Sequence, residues 1–105
     1  MALTRDFKAT VKACAERDPA FRAALLTEAV ELLLAGELAT GKAVLRDYIN
    51  ATVGFEKLAQ ATGRPPKSLM RMLGPNGNPR ASNLLAVIGK LQQVGNLQLA
   101  VSTNR

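Results

Sequence analysis

Histidine and tryptophan are absent from this chain of 105 residues, and cysteine occurs once, as Cys14. Without histidine, imidazole-based acid–base catalysis is excluded. The remaining metal-binding groups are one thiol and scattered carboxylates, which make no plausible metal site, and no cofactor is expected. A lone cysteine cannot close an intrachain disulfide. With no leader-like stretch at the N-terminus, that leads us to expect a reducing, cytoplasmic setting. Aromatics are limited to Phe7, Phe21, Tyr48 and Phe55, so Leu, Ala, Val and Met must fill the interior, a composition that favours helices. No uninterrupted apolar run approaches the roughly 20 residues that a membrane-spanning helix needs, and no membrane partner is expected.

The most informative absence is acidic. Residues 1–56 hold seven basic side chains and all eight acidic ones, whereas residues 57–105 hold seven basic side chains and no Asp or Glu. The second half therefore carries +7 with no carboxylate to repel a polyanion, and a phosphate backbone is the commonest partner for such a surface.

Periodicity and turn chemistry divide the chain into helices. Leu3, Phe7, Val11 and Cys14 recur at helical spacing, and Asp18-Pro19 reads as an N-cap followed by a first-turn proline. Phe21, Leu25, Ala29, Leu32 and Leu33 form a second stripe, which Gly36 ends. A third helix over about 37–52 is expected to bury Leu38, Leu45, Tyr48 and Ile49, with Gly41 inside it for close helix packing. Two short helices follow Gly54, with Leu58 and Ala59 and then Leu69, Met72 and Leu73 inward. After the turn-rich Gly74–Pro79 segment, Ala81, Leu84, Leu85, Ile88 and Leu91 mark a closing helix. Leu97, Leu99 and Val101 alternate with Gln98 and Ala100, a strand pattern that must pair with an edge or fray. The expectation is an all-α, five-helix bundle with a short C-terminal strand. It comprises an N-terminal helical arm (1–52) for dimer or partner binding and a DNA-binding region (53–105).

The segment from Phe55 to Leu73 meets the requirements of a helix-turn-helix. Ala59 is the small residue where the second helix crosses the first, Gly63 four residues later tolerates the positive φ of the turn, and Leu58, Leu69 and Met72 fill the wedge. Three sequence words extend the pattern: Phe55…Leu58-Ala59…Thr62-Gly63, Lys67-Ser68-Leu69-Met70-Arg71-Met72-Leu73, and Gly77-Asn78-Pro79…Asn83-Leu84. On these words the chain resembles the Xre/Cro-like helix-turn-helix regulators, and more narrowly the HigA-type antitoxins of addiction modules. Arg64 departs from the pattern, standing where the family usually carries an apolar residue, and Pro65-Pro66 makes the approach to the second helix rigid.

The resemblance implies a dimeric, non-enzymatic transcription regulator that binds double-stranded DNA through the major groove. It implies base reading by Pro66, Lys67, Ser68, Met70 and Arg71, and phosphate contacts by Lys57, Arg64, Asn78 and Arg80. It also implies a small ribonuclease toxin of the RelE/HigB kind as partner. The alternative function is therefore a protein-binding module that neutralises such a toxin, with DNA binding secondary. Non-specific nucleoid or RNA binding is a third reading.

Two features imitate chemistry. Gly36-Glu-Leu-Ala-Thr-Gly41-Lys42-Ala43 approaches the phosphate-loop pattern, but Ala43 lacks the hydroxyl that would hold Mg²⁺, and a helical stripe precedes the segment instead of a strand. Cys14 falls on an apolar stripe and reads as core rather than nucleophile.

Overall fold

The structure, a computed structural model, describes residues 5–103, with side chains from Ala9 onward. Leu3 and the side chain of Phe7, which begin the expected first stripe, lie outside the described part. The elements are α1 (Arg5–Arg17), α2 (Pro19–Leu34), α3 (Leu38–Ala51), α4 (Phe55–Thr62), α5 (Pro66–Met72) and α6 (Ala81–Gly95). The all-α class holds, but the described residues form six helices, not five. Each break read from the sequence is realised, and five breaks separate six helices.

Local chemistry explains the breaks. Asp18 is extended at φ −127° and its side chain accepts from the Ala20 N–H at 3.0 Å, while Pro19 opens α2 without an amide to satisfy. Gly36 adopts φ +86° after α2, and the N–H groups of Gly36 and Glu37 return to the carbonyls of Leu33 and Leu32. Helices α2 and α3 form the most extensive pair. Gly41 lets them approach: a Cβ there would stand 2.7 Å from Leu33 Cδ2, so the expected close packing is present.

One apolar cluster runs through α2 to α6, with Leu26, Leu45, Ile49, Leu58, Leu69 and Leu91 among its buried members. A fully buried leucine of this kind contributes roughly 1.5–3 kcal/mol. The cluster crosses the chain at residue 52, so α2 and α3 share their interior with the last three helices. Some inward assignments fail. Leu38 sits exposed at the α2–α3 tip, and Ala81 and Leu85 face outward from α6, where Val87 is buried instead.

The tail forms no strand among the described residues. The Leu97 N–H donates to the Gln92 carbonyl at 3.0 Å, and the Leu99 N–H donates to Gln92 Oε1 at 2.7 Å. Leu97 and Leu99 pack against the core. A side-chain amide thus takes up an N–H that a neighbouring strand would otherwise have to accept, and the two leucines hold the segment down without an edge.

Candidate nucleic-acid interface

The α4–α5 wedge follows from four residues, Ala59, Gly63, Pro65 and Pro66. Gly63 takes φ +73°, a left-handed conformation that costs other L-residues roughly 1–2 kcal/mol. Its N–H donates to the Ala59 carbonyl at 2.8 Å, and the Arg64 N–H donates to the same oxygen at 3.2 Å, closing the turn. Ala59 is buried where α4 meets its neighbours, and α4 packs on both α5 and α6. Pro65 is extended and Pro66 opens α5, so both rings are accommodated without loss of a helical hydrogen bond.

Helix α5 has only seven residues. Leu69 is fully buried, as is Leu73 just beyond the helix, and Met72 packs on the core. The opposite side is open: Lys67, Ser68 and Arg71 are exposed, Met70 is 46% exposed, and Pro66 is half-buried. All five residues expected to read bases therefore lie on this one short element with their side chains at least partly in solvent.

The phosphate candidates divide into two groups. Arg64, Asn78 and Arg80 line a shallow cleft of about 450 Å³ between α5 and the start of α6, together with Ser68 and Arg71. Three guanidinium groups and four neutral hydrogen-bonding side chains, those of Ser68, Asn76, Asn78 and Asn83, thus border one open hollow, a composition suited to phosphate oxygens. Arg64 also donates from a terminal guanidinium nitrogen to Asn83 Oδ1 at 2.7 Å, tying the wedge turn to α6. Lys57 is not brought to this cleft. It lines a different hollow beside Glu16, Arg22 and Tyr48.

The residues that hold α5 in place lie outside the motif. Lys42 of α3, only 3% exposed, donates from Nζ to the Gly74 carbonyl at 2.9 Å and to the Gly77 carbonyl at 2.6 Å. One turn later, Arg46 donates to the Leu73 carbonyl at 2.6 Å. Both cations meet carbonyls at and just beyond the C-terminal end of α5, where the helix dipole favours positive charge. Gly77 completes the lock: a Cβ there would overlap the carbonyl oxygens of Arg71 and Met72, so the loop can approach the helix end only without a side chain. The Gly41-Lys42 pair that imitates a phosphate loop therefore belongs to helix α3 and to this contact. Sequence reasoning missed it. The available signal was the spacing of Lys42 with Leu45 and Ile49, which places a lysine on the buried stripe of α3.

The chain matches no family model, no curated protein and no solved structure.

Proposed function

We propose that this chain is a sequence-specific, DNA-binding transcription regulator of the antitoxin kind, a binder and not a catalyst, working as a homodimer in the cytoplasm. The observation that carries the reading is the exposed strip of Lys67, Met70 and Arg71 on α5, adjoining the cleft bordered by Arg64, Arg71 and Arg80. On this reading α5 enters a major groove. Lys67 and Arg71 donate to guanine O6 and N7, each contact contributing about 1–3 kcal/mol of discrimination. Arg64, Arg80 and Asn78 grip the flanking phosphates and set the register. Two copies place their α5 helices about 34 Å apart on one face of the duplex.

The test is a gel shift on the DNA upstream of the protein's own gene. The Lys67→Ala/Arg71→Ala double variant is expected to lose specific binding while keeping its circular dichroism. Undiminished binding by the folded variant defeats this assignment of the reading face.

A second role is favoured by one further observation. Leu34 and Leu38 are exposed at the α2–α3 tip beside Glu31 and Glu37, on the half of the chain that holds every carboxylate. An apolar patch with an acidic rim suits a small ribonuclease toxin, whose RNA-binding surface must be basic. Co-purification with the product of the neighbouring gene, lost on Leu34→Glu/Leu38→Glu, tests that role.

A further inference from the structure

Lys57 has no part in the α5 cleft, and the hollow it does line has a composition of its own. This hollow has a volume of about 360 Å³ and lies where α1, α2, α3 and α4 meet the end of α6. That size falls at the small end of the range for small-molecule sites. Its walls are apolar where Val53, Leu91 and Val94 contribute, and Val94 remains 50% exposed in the free protein. Its ionisable groups come from separate helices: Arg22 from α2, Tyr48 from α3 and Lys57 from α4, with Glu16 of α1 as the one carboxylate on the rim; Thr52 adds a hydroxyl that donates to the Tyr48 carbonyl at 2.7 Å.

Two of these groups are held in position. A terminal guanidinium nitrogen of Arg22 donates to the Ala15 carbonyl, which fixes the arginine between α1 and α2. Arg22 and Tyr48, whose phenol carries a hydroxyl, both line the hollow. That hydroxyl reaches the end of α6, where a Cβ on Gly95 would stand 3.3 Å from it. Burial raises the Tyr48 pKa, and the phenol therefore stays a neutral donor throughout the physiological range.

We propose that this hollow is a binding site for a small amphipathic monoanion, a carboxylate on an apolar skeleton. The carboxylate lies between Arg22 and Lys57 within reach of the Tyr48 hydroxyl, and the apolar part covers Val53, Leu91 and Val94. The excess of two cations over one carboxylate selects an anion, since a neutral head group would leave that excess charge without a counter-charge. The apolar walls distinguish the site from the α5 cleft, which shares none of its lining residues. Occupancy would join α2 to α4, the first helix of the wedge. The binding itself does not depend on any role in DNA recognition.

The experiment uses the full chain and two carboxylates, hexanoate and phenylacetate, with hexanamide and phenylacetamide as neutral counterparts. Tyr48 is the only tyrosine and the chain has no tryptophan, so its fluorescence reports occupancy directly and calorimetry gives the affinity. A carboxylate is expected to change the Tyr48 signal and raise Tm, with its amide at least about tenfold weaker. Lys57→Gln, a change at an exposed position, is expected to weaken binding about tenfold, and Val94→Trp, read by calorimetry because the added indole masks the tyrosine, to block the apolar part. Neither variant disturbs the α5 cleft. Failure of both carboxylates to bind, equal binding of the amides, or unchanged affinity in the folded Lys57→Gln and Val94→Trp proteins overturns the proposal.

Discussion

Replacing Lys42 by Met isolates the bond between α3 and the end of α5. Methionine keeps most of the aliphatic stem and its packing but removes the ammonium group that donates to Gly74 and Gly77 at 2.9 and 2.6 Å. Hydrogen bonds from charged groups contribute about 1.5–3 kcal/mol each, and a buried acceptor left without its donor costs about 1–3 kcal/mol. Against this, the variant no longer has to desolvate an ammonium that is 3% exposed. Setting the two lost bonds against that relief leaves a destabilisation of about 2–4 kcal/mol. For a domain of this size the loss corresponds to a fall in Tm on the order of 10–20 °C. Thermal unfolding followed by circular dichroism reads the total. Amide hydrogen exchange locates it, with faster exchange expected at Leu73, Gly74 and Gly77 than at Leu45 and Ile49. A Lys42→Met protein within about 0.5 kcal/mol of the parent, with unchanged exchange at those amides, refutes the reasoning, because surface-like substitutions stay within that range.

Two glycine substitutions should move stability in opposite directions. Gly89→Ala, at a mid-helix site of α6 where a Cβ meets nothing within 4 Å, is expected to stabilise by about 0.5–1 kcal/mol. Gly77→Ala, which drives a Cβ into the carbonyls of Arg71 and Met72, is expected to destabilise by about 2 kcal/mol or more. Chemical denaturation ranks both. Alkaline titration tests Tyr48: burial raises its pKa above the ordinary 10.0, only partly offset by the Arg22 charge and the Thr52 hydrogen bond. Its protonated form is therefore favoured by folding. That contribution is complete below pH 10 and lost as pH rises through the folded value, so Tyr48→Phe is expected to flatten the alkaline loss of stability in pH-dependent melts.

The legible parts of this fold are those where a residue constrains its own neighbourhood. Asp18-Pro19, Gly36 and Gly63 announce their breaks because an N-cap carboxylate, a missing amide and a tolerated positive φ act over two to four residues. The exposed positions of α5 were readable for the same reason, since Leu69 and Met72 fix which way the short helix faces. Burial at helix ends was not. Leu38 and Leu85 fit their stripes by spacing, yet Leu38 stands at the α2–α3 tip and Leu85 lies on the outward side of α6. The Lys42 and Arg46 contacts with the end of α5 reach across about thirty positions of chain, and no local pattern encodes a partner at that distance. The Gly41-Lys42 pair even pointed elsewhere. The tail misled for a related reason: alternation reports which side chains are apolar, not whether a nearby glutamine will accept the backbone N–H.

Because α5 is anchored through carbonyls by cations from α3, residues 55–95 are not a transplantable cassette. Moved alone onto another scaffold, they would carry the turn and the exposed side chains but leave the far end of the short helix without its fastening. A transplant of α5 would have to carry α3 with it, so that Lys42 and Arg46 still meet the carbonyls of Leu73, Gly74 and Gly77.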